Sequence, residues 1–205
     1  MHCLGFRAHR STAIPHGDKP LDHVRSTPAR IYCLMPLIDI ILPEYDREIE
    51  ITRLLITAAP EAELEWRPAT HTRSLAELLA HLAEIPGWID NIMAHDSYDL
   101  TDAPEPSRVD AVAQLREWFD RNAAIGRTRL LGRLNRELNA TWTLTRRGRI
   151  LFSLPRISLF RVLVLNHLIH HRGQLSIYLR MLGARLPSIY GPTAGGVVNR
   201  GNRTR

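Results

Sequence analysis

The chain of 205 residues has only two cysteines, Cys3 and Cys33, both in its leading segment. No disulfide framework can therefore hold the fold, which agrees with a reducing compartment. No uncharged apolar run approaches the roughly 18 residues of a membrane span, so no membrane partner is expected. The first residues also lack the continuous apolar core of a secretory signal, and a cytoplasmic location follows as the expectation. A Gly-rich phosphate loop, a nucleophile elbow and a CxxC pair are all missing, which removes the chemistries that depend on them. The carboxylates follow solvated-face spacing, and the inward positions lack the several Glu and Glu-x-x-His ligands of a di-iron bundle. Basic residues are in excess, with a formal charge of +6. Residues 1–34 hold five basic and two acidic groups, Arg200, Arg203 and Arg205 add three more cations, and residues 35–199 have 19 of each sign. A neutral body with basic ends does not make a DNA-binding surface, so no specific nucleic-acid partner is expected.

What is present is one domain's worth of amphipathic helix. Residues 1–34 mix His, Arg, Pro, Ser and Thr without a period and read as a disordered N-terminal extension. They are either an upstream extension of the reading frame, with Met35 the true start, or a genuine unstructured tail. The folded body is expected over 35–194 and a flexible C-terminal tail over 195–205. Pro43-Glu44 reads as the start of a first helix that runs to Ala59 and stops at Pro60. Ser74-Leu75-Ala76-Glu77 matches a capping box and opens a second helix, which Pro86-Gly87 should kink before it continues through Trp88 to Met93. Ser107 reads as the N-cap of a third helix from Val109 to the region of Leu134–Glu137. Thr141 to Thr145 alternates with period two, and Ile150-Leu151-Phe152 follows Arg147-Gly148, so a hairpin or extended crossover is expected there. A fourth helix begins after Pro155 and closes at Leu182-Gly183. Together these elements predict an all-α four-helix bundle with a short hairpin crossover before the last helix.

The chemistry concentrates in Asn166-His167-Leu168-Ile169-His170-His171-Arg172-Gly173-Gln174. His167 and His171 are four apart and stack on one helix face. His81 lies on the Leu78–Ile85–Trp88 side of its helix and also points inward. A lone inward histidine is ordinarily a core residue with a satisfied partner, whereas three neutral imidazoles from two helices can bind a divalent transition metal. Both readings stand on spacing alone. His170 lies about 100° around the helix from His171 and is set aside. Asn166 and Gln174 are candidates to orient imidazoles. Arg172 could take a substrate carboxylate or form an ordinary ion pair, and Trp142 is the tryptophan best placed to line a pocket.

The run Leu165 to Leu175, with Tyr178-Leu179-Arg180 and Pro187 to Pro192, resembles the DinB/YfiT-like family. The likeness extends to Leu42-Pro43-Glu44-Tyr45-Asp46-Arg47-Glu48 and to Leu78 through Pro86, covering about residues 35–193. It implies a four-helix bundle of unusual connectivity, with a divalent metal held by His81, His167 and His171. Zinc, nickel, manganese and iron all occur in such proteins. The resemblance further implies a small-molecule substrate, a low-molecular-weight thiol as cosubstrate in an S-transferase or isomerase reaction, and homodimer formation. The alternative is a non-catalytic metal-binding protein of stress response or partner interaction. This chain departs from the family pattern after the Tyr-Gly-Pro turn, where Thr193-Ala194-Gly195-Gly196 replaces a usual acidic pair.

Overall fold

The computed structural model describes residues 35–103 and 111–191. The chain divides after Met35, and every described element belongs to the unit that starts at Pro36. The expected extension 1–34, Ser107, Val109, the Thr193–Gly196 segment and the tail 195–205 lie outside the described residues.

Helix α1 spans Leu37–Thr57, six residues earlier than the proline pattern predicts. Pro43 sits inside it rather than at its first turn. The true start is capped from a distance: the Asn135 Oδ1 accepts the Leu37 N–H at 2.8 Å. Pro43 removes one backbone donor in the second turn, at a position where its ring is exposed and the stripe Tyr45, Ile49, Thr52 and Ile56 is buried.

Helix α2, Leu75–Glu84, has the expected capping box. Ser74 Oγ accepts the Glu77 N–H at 3.2 Å, and Glu77 Oε2 accepts the Ser74 N–H at 2.7 Å. The Pro86-Gly87 break is a single 3₁₀ turn over Ile85–Gly87, after which α3 runs Trp88–Ala94. At the break the Ala83 carbonyl accepts from Asn122 Nδ2 at 2.8 Å. Asn122 belongs to α4, Val112–Leu130, which packs so closely here that a Cβ on Gly126 would lie 2.8–2.9 Å from Ile89, the Pro86 carbonyl and the Tyr45 hydroxyl. Helix α4 stops at Leu130, and Asn135–Leu138 forms a separate turn of helix, α5, so the third helix is shorter at its C-terminal end than the sequence pattern predicts. Gly132, at φ +71°, makes the intervening bend.

The crossover is a sheet of order β1-β2-β3. Strands β2 (Thr141–Arg146) and β3 (Arg149–Pro155) are antiparallel, with Trp142 opposite Leu154 and Leu144 opposite Phe152. Arg147 and Gly148, at φ 52° and 73°, form the two-residue turn that the right-handed strand twist favours. The sequence pattern misses β1, Ser97–Asp99, which pairs parallel to β2. Asp99 ties it to the turn by accepting from the Arg147 N–H at 3.1 Å, the Gly148 N–H at 2.9 Å and Thr145 Oγ1 at 3.0 Å. Hydrogen bonds hold its carboxyl well below the usual carboxylate range, the Thr101 hydroxyl contributing most.

The last helix comprises α6 (Arg156–Leu159), a wide π-helical segment (Phe160–Asn166) and α7 (His167–Met181). Arg156 fastens its start to the loop after α3, donating to the His95 carbonyl at 2.8 Å and to Asp96 at 2.6 Å. At its end Gly183, φ +72°, completes a Schellman motif: its N–H bonds the Arg180 carbonyl at 3.0 Å, and the Ala184 N–H bonds that of Leu179 at 2.9 Å. Leu55, Leu78, Leu82, Phe119, Leu159 and Val164 fill the core between the helices. The architecture is the all-helical bundle predicted, with a small sheet in its crossover.

Candidate metal centre

The π segment delivers the chain to His167 at its downstream end, and α7 places His171 one turn later. Helix α2 supplies His81 from across the interface. The Nε2 atoms of His81 and His167 are 3.2 Å apart, and those of His167 and His171 are 2.8 Å apart. One nitrogen from each ring lies within 4.8 Å of the other two. Two nitrogens bound to a tetrahedral ion at about 2.0–2.1 Å stand about 3.3 Å apart, so the spacing matches a three-imidazole face.

The outer ring nitrogens decide which tautomers are present. His171 Nδ1 donates to Gln174 Oε1 at 2.8 Å, which leaves its Nε2 with a lone pair and no proton. His81 Nδ1 lies 3.5 Å from Glu84 Oε2, and that carboxylate favours the proton on the same outer nitrogen. A backbone hydrogen bond at Leu163 engages His167. Lone pairs converging at these distances repel unless a cation stands among them. The donor set therefore fits a divalent metal: three imidazole nitrogens, with partners behind them of the kind that orient metal-bound imidazoles.

Burial lowers the pKa of His167, and the His81 and His170 charges lower it further. His171 falls to about 4, again chiefly by burial, despite the upward pull of its bond to Gln174. Both imidazoles are therefore neutral and ready to ligate at neutral pH. The His81 side chain is only 16% exposed. Trp88 walls the cluster, with ring centroids 5.8 Å from His81 and 5.2 Å from His167.

The remaining residues singled out from sequence occupy different places. Gln174 is exposed and bridges two imidazoles, bonding His171 through its oxygen and His170 Nε2 through its nitrogen at 3.1 Å. His170 is exposed, with its ring 4.9 Å from that of His171. Asn166 is exposed at the end of the π segment. Trp142 is buried on β2, and its indole N–H finds no partner among the described residues. Arg172 is buried, 1% exposed, on the part of α7 that meets α1 rather than α2, and is paired with Glu48 at 2.6 Å. The Tyr190 hydroxyl donates to the same Glu48 Oε2 at 2.7 Å, and the Arg172 guanidinium bonds both Tyr190 and the Glu48 carbonyl. The sequence pattern does not single out Glu48. Its signal is a glutamate on the buried stripe of α1, between Tyr45 and Thr52, where an unpaired carboxylate would be costly.

The family model that matches is the DinB family, over residues 41–196. Two crystal structures share the fold: DinB-like proteins of Bacillus subtilis and Bacillus cereus. Each has a TM-score of 0.58 and 18% identity, covers 73% of this chain, and is itself covered over 96% and 95% of its length respectively. No curated protein matches the chain.

Proposed function

The chain belongs to the DinB family, and we propose that it is a metal-dependent enzyme acting on a small molecule, with His81, His167 and His171 as the ligands. The observation that carries this reading is the convergence of three imidazole nitrogens within 4.8 Å of one another. When bound there, a divalent transition ion supplies Lewis acidity, which lowers the pKa of a thiol or water and makes it a nucleophile.

The chain's own residues set the conditions. Gln174 holds His171 in the tautomer that presents Nε2, and Glu84 does the same for His81. Trp88 shields one side of the cluster from water, which strengthens the electrostatics of the site. A low-molecular-weight thiol is the cosubstrate that family likeness favours, and S-transfer or isomerisation the reaction class. The test is elemental analysis of the full chain beside its His81→Ala variant. About one equivalent of a transition metal in the parent and none in the variant supports the reading. A metal-free parent, or a variant with unchanged content, overturns it.

A further inference from the structure

Strand β3 is the last in the sheet order β1-β2-β3, so among the described residues it is paired on its β2 side only. Alternate backbone groups along Arg149–Pro155 therefore point to a free edge. The other edge of the sheet, β1, is only three residues long and ends in the charged Asp99. Strand β3 has seven residues and carries exposed apolar side chains along them: Ile150 at 69%, Leu151 at 50% and Leu154 at 37%. A long apolar edge of this kind is a template on which another extended segment can pair.

Cations crowd the hairpin end of this edge. Arg146 and Arg149 are register partners across the two strands, and Arg147 stands in the turn between them. Like charges placed directly opposite each other repel. None of the three forms an ion pair with a described residue. Asp99, the carboxylate that touches the turn, is spent on the Arg147 and Gly148 N–H groups and on the Thr101 and Thr145 hydroxyls. The three arginines line a groove of about 400 Å³ together with Ile150 and Leu151. The occupant that fits has a backbone to pair with β3, apolar side chains to cover its leucines, and carboxylates to meet the guanidinium groups. A second copy fits poorly, because its own β3 brings Arg149 and no carboxylate.

We propose that the free edge of β3 binds an extended acidic segment of a partner protein, whose carboxylates reach Arg146, Arg147 and Arg149. The test uses the full chain and a fluorescein-labelled peptide of alternating valine and threonine that ends in three glutamates. An antiparallel strand laid along β3 brings its C-terminal end to the hairpin turn, so the glutamates belong at that end. By fluorescence anisotropy this peptide should bind about tenfold more tightly than one ending in three lysines. An Arg146→Gln, Arg149→Gln double variant should weaken its binding about fivefold to tenfold, the worth of two exposed ion pairs. The unfolding midpoint of that variant should hold or rise, since two facing cations are gone. The corresponding double lysine variant should keep most of the affinity. A peptide N-methylated along its valine and threonine run should not bind, and equal binding by it overturns the strand pairing. No binding of the glutamate peptide, equal binding of the lysine peptide, or an affinity that the glutamine variant leaves unchanged overturns the acidic partner. A parent that sediments as a dimer, and becomes monomeric in an Ile150→Glu, Leu151→Glu variant, has this edge filled by a second copy and overturns the proposal as well.

Discussion

Two polar clusters sit on adjacent residues of one helix and have opposite characters. Arg172 reaches into the core, where Glu48, Tyr190 and Thr52 supply an opposite charge, an acceptor and a hydroxyl. His171, its neighbour in sequence, is half-buried, and the groups it faces are two more imidazoles of the same kind. The first cluster is closed, since its charges and hydrogen bonds cancel within the protein. The second has nitrogen lone pairs turned toward each other and only its outer edge satisfied. Burial of polar groups alone thus does not mark a functional site. What separates the second cluster is a set of half-buried imidazole nitrogens that face one another and could hold a metal ion.

The closed cluster should respond most strongly to substitution. Replacing Glu48 with Ala leaves a buried guanidinium without its counter-charge, which should cost about 3–5 kcal/mol of stability by urea unfolding. A paired Glu48→Leu, Arg172→Met replacement should recover most of that loss, because no buried charge is left over. At the open cluster the effect should be the reverse in kind. His167→Ala should unfold much like the parent without metal, while Zn(II) at a hundred times its dissociation constant raises parent stability by about 2.7 kcal/mol and the variant's not at all. Calorimetric scans with and without metal check this, and equal stabilisation of both proteins would sink it.

Gln174→Ala acts on the open cluster from behind its ligands. Freed from its oxygen partner, His171 should bind metal about 10–100-fold more weakly, with little change in the metal-free unfolding midpoint. Tyr190→Phe removes one hydroxyl from the closed cluster and should cost about 1–3 kcal/mol, with metal affinity unchanged.

A slope with pH should accompany these effects in the metal-free chain. His171 has a pKa of about 4 in the folded chain, below its ordinary value of 6.5. Between those values the unfolded chain binds the extra proton and the folded chain does not, so stability falls as pH falls from about 6.5 to about 4 and flattens below. His167, shifted in the same direction, adds to that slope. A His171→Gln variant should show a shallower dependence in this window when its unfolding midpoint is followed across buffers.

Legibility in the sequence tracked how local each signal is. The Ser74–Glu77 box and the Pro86-Gly87 break are written in four or two consecutive residues, and both stand where the pattern predicts. His81 meeting His167 followed from two helix faces, each readable by itself. The start of α1 did not, because its cap is Asn135, 98 residues away, while Pro43 mimics a first-turn proline. Three residues of β1 are too few to show alternation, and Phe160–Asn166 has no proline or glycine to announce a wide turn. The Arg172–Glu48 pair spans 124 positions, and one chain's pattern shows only that Glu48 sits oddly among apolar neighbours.

That wide turn also determines where the last helix can tolerate a change of length. A π segment holds slack that an α-helix lacks, since a deleted residue lets it tighten to ordinary α geometry with both flanks in register. Removing the exposed Val162 from the segment should therefore leave His167 facing His81. Removing Ile169, between the two ligands of α7, has no such reserve to draw on and should carry His171 about 100° around the axis, from roughly 40° on one side of His167 to roughly 60° on the other. The helix is thus elastic upstream of its first histidine and rigid beyond it, so the spacing of the two histidines is fixed by a stretch that cannot absorb a deletion.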